Sequence, residues 1–182
     1  MQTHKTPRRV WLSMRPYAGW TAIAAAVATL AACSGGNDVP TYAATIRTTS
    51  YGVPHVVADN FKGAGYGYGY AFAQENICLY AEELVTLHGE RAKYFGATGG
   101  YVGQLGTTTG NVDSDFFYKL IFTADQAAKL KAGSSQAAQD LANGFATGYN
   151  RYLKDTGVAN LPAACKGAAW VQPMTENDAY LR

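Results

Sequence analysis

The first 33 residues contain no aspartate or glutamate, although they carry four basic side chains, at Lys5, Arg8, Arg9 and Arg15. The apolar run behind these cations, residues 20–32, is shorter than the roughly 20 residues that a membrane-spanning helix needs. A basic segment followed by a short apolar run is typical of a secretory signal. The sequence therefore predicts an exported protein.

Charge is also scarce in the rest of the chain. Charged side chains make up 15% of the 182 residues and hydrophobic ones 48%, a balance that excludes disorder for most of the sequence. Of the 15 basic side chains, four lie in the signal, which leaves 11 against 13 acidic ones. A mature chain without a surplus of cations is not expected to bind nucleic acid.

The signal ends in Leu30-Ala31-Ala32-Cys33, which is not a plain A-x-A cleavage site. This ending resembles a bacterial lipobox, in which the cysteine becomes the lipid-bearing first residue, and Ser34 after it fits sorting to the outer membrane. The alternative is an ordinary cleaved signal in which Cys33 occurs by chance. We predict a lipoprotein signal peptide over residues 1–33, a flexible tether over 34–41 and a lipid anchor at Cys33 on the periplasmic side of the outer membrane.

Only two further cysteines, Cys78 and Cys165, follow the signal. An oxidising compartment permits a disulfide between them. The sequence does not give the separation of their α carbons, on which a bridge depends. The sequence therefore allows two alternatives, a disulfide between Cys78 and Cys165 or two buried free thiols.

The stretch GAGYGYGYAFAQ, residues 63–74, contains neither of the two nucleotide-binding signatures that it resembles. A G-x-G-x-x-G motif that starts at Gly63 places Tyr68 where the last glycine belongs. The RNA-binding pattern fails because Ala64 stands where an aromatic ring should stack. Apolar residues behind this stretch recur every three or four positions, which predicts an amphipathic helix over about 70–94, with Gly89 as the place where it can break. The glycines are then a packing device that leads into this helix.

The remaining patterns predict short elements. Two strands flank a turn at Ser50-Tyr51-Gly52, and Val53, His55 and Val57 share one face of the second strand. His55 is interpreted as a structural histidine, because no ligand spacing surrounds it. Residues 96–110 are predicted to form a loop.

Three further helix features come from capping residues and glycines. A short helix is predicted from Thr123 or Ala124 to Ala132, and Ser134 or Ser135 caps the next helix, which Gly157 ends. Gly144 and Gly148, four residues apart, predict a close contact between helices. Asp113 and Asp115 lack the full calcium-loop spacing and are interpreted as helix caps.

The last residues have the form of a helix start, Thr175-Glu176-Asn177-Asp178, only four positions before Arg182. A helix of fewer than two turns is not stable by itself. We therefore expect the polypeptide to continue beyond Arg182.

Six segments in this order resemble the beginning of the penicillin acylase family, most closely its acyl-homoserine lactone acylase and aculeacin acylase branch. The segments are SYGVPHVVAD, GYGYGYAFAQENICLYAEEL, HGERAKYFG, NVDSDFFYKL, FATGYNRYL and LPAACKGAAWVQP. The resemblance covers roughly residues 42–182 and identifies them as an incomplete α chain of an N-terminal-nucleophile hydrolase. The implied fold is mainly α with a short N-terminal β hairpin, as the α-chain portion of an αββα sandwich.

The resemblance also implies an activity. Members cleave the amide bond of an N-acylated substrate, such as an acyl-homoserine lactone, a lipopeptide or a β-lactam side chain, through an N-terminal serine on a separate β chain of the same precursor. No catalytic residue is therefore expected here. The alternative function is a non-catalytic surface lipoprotein or binding module.

The resemblance suggests three residues of interest near the end of the chain. Trp170 and Met174 are candidates for the acyl pocket, with plain core residues as the alternative. Glu176 is a candidate ligand for a structural calcium ion, although Thr175 occupies the aligned position of the family's glutamate. No cofactor is expected to be required.

Overall fold

The computed structural model describes residues 42–103 and 106–181. The predicted signal peptide, the lipid attachment at Cys33 and the tether lie outside the described residues. Within the described part of the chain, no helix combines the length and the hydropathy needed to cross a membrane.

The described part of the chain begins with an antiparallel hairpin of β1 (Thr45–Thr48) and β2 (Pro54–Val57), in which Ile46 pairs with Val56. Pro54, which has no N–H to donate, stands at the start of its strand, as predicted. Gly52 has a φ of 81° and makes the turn. Val53, His55 and Val57 are all exposed, so the face that they share points to solvent, while Val56 packs inward against α1.

The long helix α1 (Phe61–Leu87) contains the whole glycine and tyrosine stretch. It begins nine residues earlier than predicted because the Asn60 side chain accepts a hydrogen bond from Gly63 N at 2.7 Å and caps the helix. Non-helical backbone angles at Asn76 kink it. The helix ends at Leu87, and Gly89, with a φ of 60°, separates it from the short α2 (Arg91–Phe95), so the predicted helix breaks at the glycine named for it.

Residues 96–110, predicted as a loop, contain a second hairpin of β3 (Gly100–Val102) and β4 (Thr108–Gly110). Strands of three residues made of glycine, threonine and one or two large side chains show no alternation from which they could be predicted. The hairpin leads directly into α3 (Asn111–Ile121).

The two predicted capping sites are confirmed. Thr123 caps α4 (Ala124–Gly133), and Ser135 rather than Ser134 caps α5 (Gln136–Thr156). Gly157, with a φ of 72°, ends α5. Two 3₁₀ helices follow, Val158–Asn160 and Asn177–Tyr180, so the predicted helix start near Thr175 opens a single 3₁₀ turn here.

The core lies where α1 crosses α5. Glycines of each helix face the backbone of the other: Gly65 and Gly69 contact the carbonyls of Leu141 and Phe145, while Gly148 contacts that of Tyr66. A side chain at any of these positions would overlap a backbone atom. The close contact predicted from Gly144 and Gly148 is confirmed, and its partner is the glycine-rich part of α1.

Large side chains fill the rest of this interface, with Ile77, Tyr80 and Tyr149 almost fully buried. Cys78 of α1 and Cys165 form a disulfide with α carbons 5.3 Å apart, which decides between the two states that the sequence left open. The bridge fastens the irregular segment after α5 to α1. The architecture is mainly helical with short β hairpins, as predicted.

Candidate functional site

Helix α3 has its amphipathic pattern reversed. Its polar residues Asn111 and Ser114 are each 1% exposed, whereas Phe116 is 73% and Leu120 69% exposed. Val112, Phe117 and Ile121 are exposed as well. We call these five residues the α3 apolar face. An exposed apolar stripe at helical spacing marks an interaction surface, and the spacing of residues 112, 116 and 120 is a signal that sequence reasoning could have used.

The buried side of α3 serves its neighbours. The two carboxylate oxygens of Asp115 accept hydrogen bonds from the backbone N–H groups of Arg91 and Ala92, at 2.7 and 2.8 Å. Asp115 is therefore a helix cap, as predicted, but it caps α2 rather than its own helix. Asp113 lies in the first turn of α3, where a negative charge is favoured by the helix dipole.

Arg91, 4% exposed, joins three elements. Its guanidinium donates to Glu82 at 3.0 Å, to Thr86 at 2.9 Å and to Asn111 at 3.1 Å. The ring of Tyr101 lies 3.9 Å from the guanidinium carbon. Because each of its nitrogens already has a partner, Arg91 holds the α1, α2 and α3 corner together and is not available to a ligand.

The candidate acyl-pocket residues lie in an irregular segment, residues 170–176. Trp170 is half-buried, and its ring centroid lies 5.6 Å from that of Phe95. Met174 is 3% exposed and belongs to the main hydrophobic cluster. Both therefore pack into the protein from the same segment, and a pocket lined by them stays a prediction.

Glu176, the candidate metal ligand, pairs with Lys131 of α4 at 3.0 Å. A lysine ammonium already occupies the position next to this carboxylate where a cation would bind. Among residues 42–103 and 106–181, no group of three or more histidine, cysteine or acidic side chains is arranged to hold a metal ion. The residues present do not by themselves form a calcium site.

A half-buried pair joins the end of α1 to the 3₁₀ helix Asn177–Tyr180: His88 Nε2 lies 2.7 Å from Asp178 Oδ1, and Asp178 is 3% exposed while the His88 side chain is 34% exposed. The hydrogen bond to Asp178 raises the pKa of His88 above its ordinary value. Burial alone would raise the pKa of Asp178, but its bonds to His88 and Thr175 lower it overall. His55, by contrast, is exposed on β2 and has no role in this pair.

A surface groove of about 290 Å³ runs between α1 and α5, lined mainly by Tyr68, Tyr80, Leu141 and Phe145. Neither Trp170 nor Met174 lines it. The rings of Tyr68 and Phe145 lie 5.4 Å apart, and those of Tyr80 and Phe145 5.7 Å apart. Their contacts make the aromatic wall of the groove part of the same packing that joins the two helices.

The sequence pattern of the penicillin amidase family matches residues 43–178. The chain belongs to this family. It is 41% identical over 135 residues to the acyl-homoserine lactone acylase PvdQ of Pseudomonas fluorescens, an alignment that covers 74% of this chain and 17% of that protein. It is 39% identical over 161 residues to the aculeacin-A acylase of Actinoplanes utahensis, covering 87% of this chain and 20% of that protein.

Among solved structures, the fold is similar to that of a thermostable penicillin G acylase from Alcaligenes faecalis. The two have a TM-score of 0.60 at 28% identity, over 76% of this chain and 69% of that chain. The resemblance stated from the six sequence segments is thereby confirmed. This family member spans no more than about a fifth of the length of the curated relatives it matches.

Proposed function

We propose that this chain is the N-terminal part of the α chain of an exported amidohydrolase that cleaves the amide bond of N-acylated substrates. Membership in the penicillin amidase family carries the proposal, and the names of the relatives favour acyl-homoserine lactones or acylated peptides over other amides. The nucleophile is the N-terminal serine of a β chain from the same precursor. In this division, residues 1–33 are the signal, 34–41 the tether and 42–182 α-chain sequence.

The chemistry needs no cofactor. The serine hydroxyl adds to the amide carbonyl, and its proton passes through a water molecule to the serine's own α-amino group, whose pKa is about 8. Donors around the carbonyl oxygen stabilise the oxyanion. The amine leaves with the proton, an ester to the serine remains, and water then hydrolyses it to the acid.

The exposed α3 apolar face is evidence for the proposed partner chain. Five large apolar side chains on an 11-residue helix are exposed, and the family relatives are at least five times longer than the aligned region. We assign this face to contact with the β chain, because apolar side chains at the centre of an interface hold two chains of one enzyme together. In this proposal, Trp170 and Met174 contribute to the part of the substrate site that holds the acyl group.

The test is an assay of the full gene product against C4 to C12 acyl-homoserine lactones and penicillin G, with correction for lactone opening. N-terminal sequencing of its subunits locates the β-chain serine, and replacing that serine by alanine is the control. Hydrolysis of at least one of these amides, lost in the serine variant, supports the proposal. Binding without hydrolysis by the wild type would instead support the non-catalytic alternative.

The proposed location is tested separately. With a lipid anchor at Cys33, the wild type fractionates with the outer membrane, and Cys33→Ser releases it into the periplasm. Equal release of both proteins would leave an ordinary cleaved signal as the correct interpretation.

A further inference from the structure

The groove between α1 and α5 combines small and large apolar residues. Its lining comprises Gly65, Ala142 and Ala179 together with Tyr68, Tyr80, Leu141 and Phe145. Because glycine and alanine fill little of the space between the larger side chains, a depression of about 290 Å³ remains. None of the described residues that line it carries a charge. The groove therefore suits an apolar side chain and not a charged group.

The shape of the groove is fixed by the contact between the two helices. Gly65 of α1 lies against the backbone carbonyl of Leu141 of α5, with no room for a β carbon. Beside this contact, Tyr80 is 1% exposed, and its ring centroid lies 5.7 Å from that of Phe145. Since backbone touches backbone, the helices cannot move closer together to close the groove. Covering it therefore requires another segment.

Two side chains on the walls of the groove remain open to solvent. Tyr68 is 56% exposed and Leu141 is 40% exposed. Removing apolar surface from water stabilises a contact by about 25 cal/mol per Å², and an exposed apolar patch marks a contact surface. A segment that covers these two side chains is therefore stabilised on the groove.

One edge of the groove belongs to the end of the described chain. Ala179 lies in the 3₁₀ helix Asn177–Tyr180, and Leu181, the last described residue, is 7% exposed. Side chains of the helices hold this edge in place: His88 pairs with Asp178 at 2.7 Å, Lys131 pairs with Glu176 at 3.0 Å, and Asn150 bonds to both N and O of Met174 at 2.7 Å. The described chain therefore ends beside the groove.

We propose that the α-chain segment after Arg182 packs an apolar side chain into this groove and covers Tyr68 and Leu141. The inference rests on the proposed function, in which residues 42–182 begin a longer α chain. The alignments cover 17% and 20% of the two curated relatives, which leaves ample sequence for such a segment.

Proximity along the chain favours this occupant over the β chain. Four extended residues span about 13 Å, so a segment that starts after Arg182 reaches a groove lined by Ala179 within a few residues. A tethered segment has a high effective concentration at a nearby site, an advantage that a separate chain lacks. The β chain is assigned to the α3 apolar face instead.

The first test is a photo-cross-link in the full gene product. Benzoylphenylalanine is introduced in place of Tyr68, or of Leu141 in a second preparation, and bonds on irradiation to C–H groups in contact with it. The same replacement at Tyr51, which is 94% exposed at the hairpin turn, is the control. Mass spectrometry of the digested protein is expected to show both groove positions joined to one α-chain peptide from beyond Arg182, to which the control is not joined.

The second test is hydrogen exchange in the full gene product with Leu141→Ser. Leu130→Ser is the matched control, because Leu130 is a leucine of similar exposure, 44%, on α4 and outside the lining of the groove. The peptide found by the cross-link is expected to exchange about 3- to 30-fold faster in Leu141→Ser, since part of the burial of one leucine is lost. In the control its exchange stays unchanged.

Each other outcome contradicts the inference. Cross-links from both groove positions to the β chain or to a second copy of this chain, or to no peptide at all, would overturn it. Equal exchange in the two serine variants would show that the groove does not hold the segment. Hydrolysis of acyl amides is measured in parallel, so that an active enzyme with cross-links to the β chain refutes this inference alone, whereas an inactive protein with α-chain cross-links refutes the proposed function alone.

Discussion

The α carbon of Gly148 in α5 lies directly against the backbone carbonyl oxygen of Tyr66 in α1, with no room for a β carbon. Because the obstacle is backbone on a 27-residue helix, it cannot move aside as a flexible side chain would. The two helices depend on this approach for the packing of Tyr80 and Tyr149 beside it. The glycine-rich face is thus a requirement of the fold.

Gly148→Ala is accordingly expected to lower the free energy of unfolding by about 1–3 kcal/mol through overpacking. Gly133→Ala is the matched control, since Gly133 ends α4 with open space around it. There the gain in helix propensity should leave stability unchanged or slightly higher. Denaturant unfolding of both variants makes the comparison, and equal effects at the two sites would contradict the contact.

The Cys78–Cys165 disulfide closes a loop of 87 residues. Closing a loop of this length restricts the unfolded chain and, on the loop-entropy estimate, stabilises the fold by about 4–5 kcal/mol. Reductant, or replacement of both cysteines by alanine, should lower the free energy of unfolding by a similar amount, measured by denaturant unfolding and seen also as a lower melting temperature. A double variant that still responds to reductant would show that the effect arises elsewhere.

The His88–Asp178 pair predicts a pH dependence. The pKa of His88 is raised from 6.5, so its stabilisation is complete below that pH and is lost as the pH rises through the folded-state value. The pKa of Asp178 is lowered from 3.8, so its stabilisation is complete above that value and is lost in stronger acid. The pair should therefore stabilise most between about pH 4 and 6.5.

The difference in melting temperature between the wild type and His88→Gln, followed from pH 5 to 9, measures this dependence. The difference should shrink on the alkaline side. Glu90 also raises the pKa of His88, so Glu90→Gln is a useful companion variant that should shift the midpoint downward. Parallel curves over the whole range would rule the linkage out.

Arg91→Met removes the charge at the α1, α2 and α3 corner while keeping much of the side-chain volume. Asn111, 1% exposed, then loses the donor to its Oδ1, and a buried polar group without its partner costs about 1–3 kcal/mol. Thermal unfolding measures the loss. Lys93→Met, which removes an exposed pair with Glu90 and a surface contact with the ring of Tyr94, should have a much smaller effect.

The α3 apolar face predicts a variant that separates folding from assembly. Phe116 is 73% exposed, so Phe116→Ser should leave the stability of this region nearly unchanged. In the full gene product it should weaken the association of the subunits, seen as earlier dissociation in size-exclusion chromatography under mild denaturant. Lys129→Ser, exposed on α4, is the control. Subunit dissociation at the same denaturant concentration in both variants would show that the α3 apolar face is not part of the subunit interface.

Much of the helical architecture could be predicted from the chain itself. Thr123 and Ser135 predict the starts of their helices, because a side-chain oxygen can accept a hydrogen bond from a free N–H of the first turn. Gly157 predicts the end of α5, because glycine adopts a positive φ without strain. The start of α1 was predicted nine residues late because glycines are poor helix formers, and only the packing against α5 compensates for them.

The sequence by itself determined the family, the caps and turns, and the face of α5 on which small residues gather, because each depends on neighbours a few positions away or on strings long enough to be specific. Tertiary structure alone decided that Cys78 meets Cys165, that Asp115 caps a different helix, and that Asn150 holds Met174. These pairs are 23 to 87 residues apart or depend on the relative placement of three helices. These contacts require the helices to be packed together, and patterns of residues a few positions apart carry no information about partners so far away in the chain.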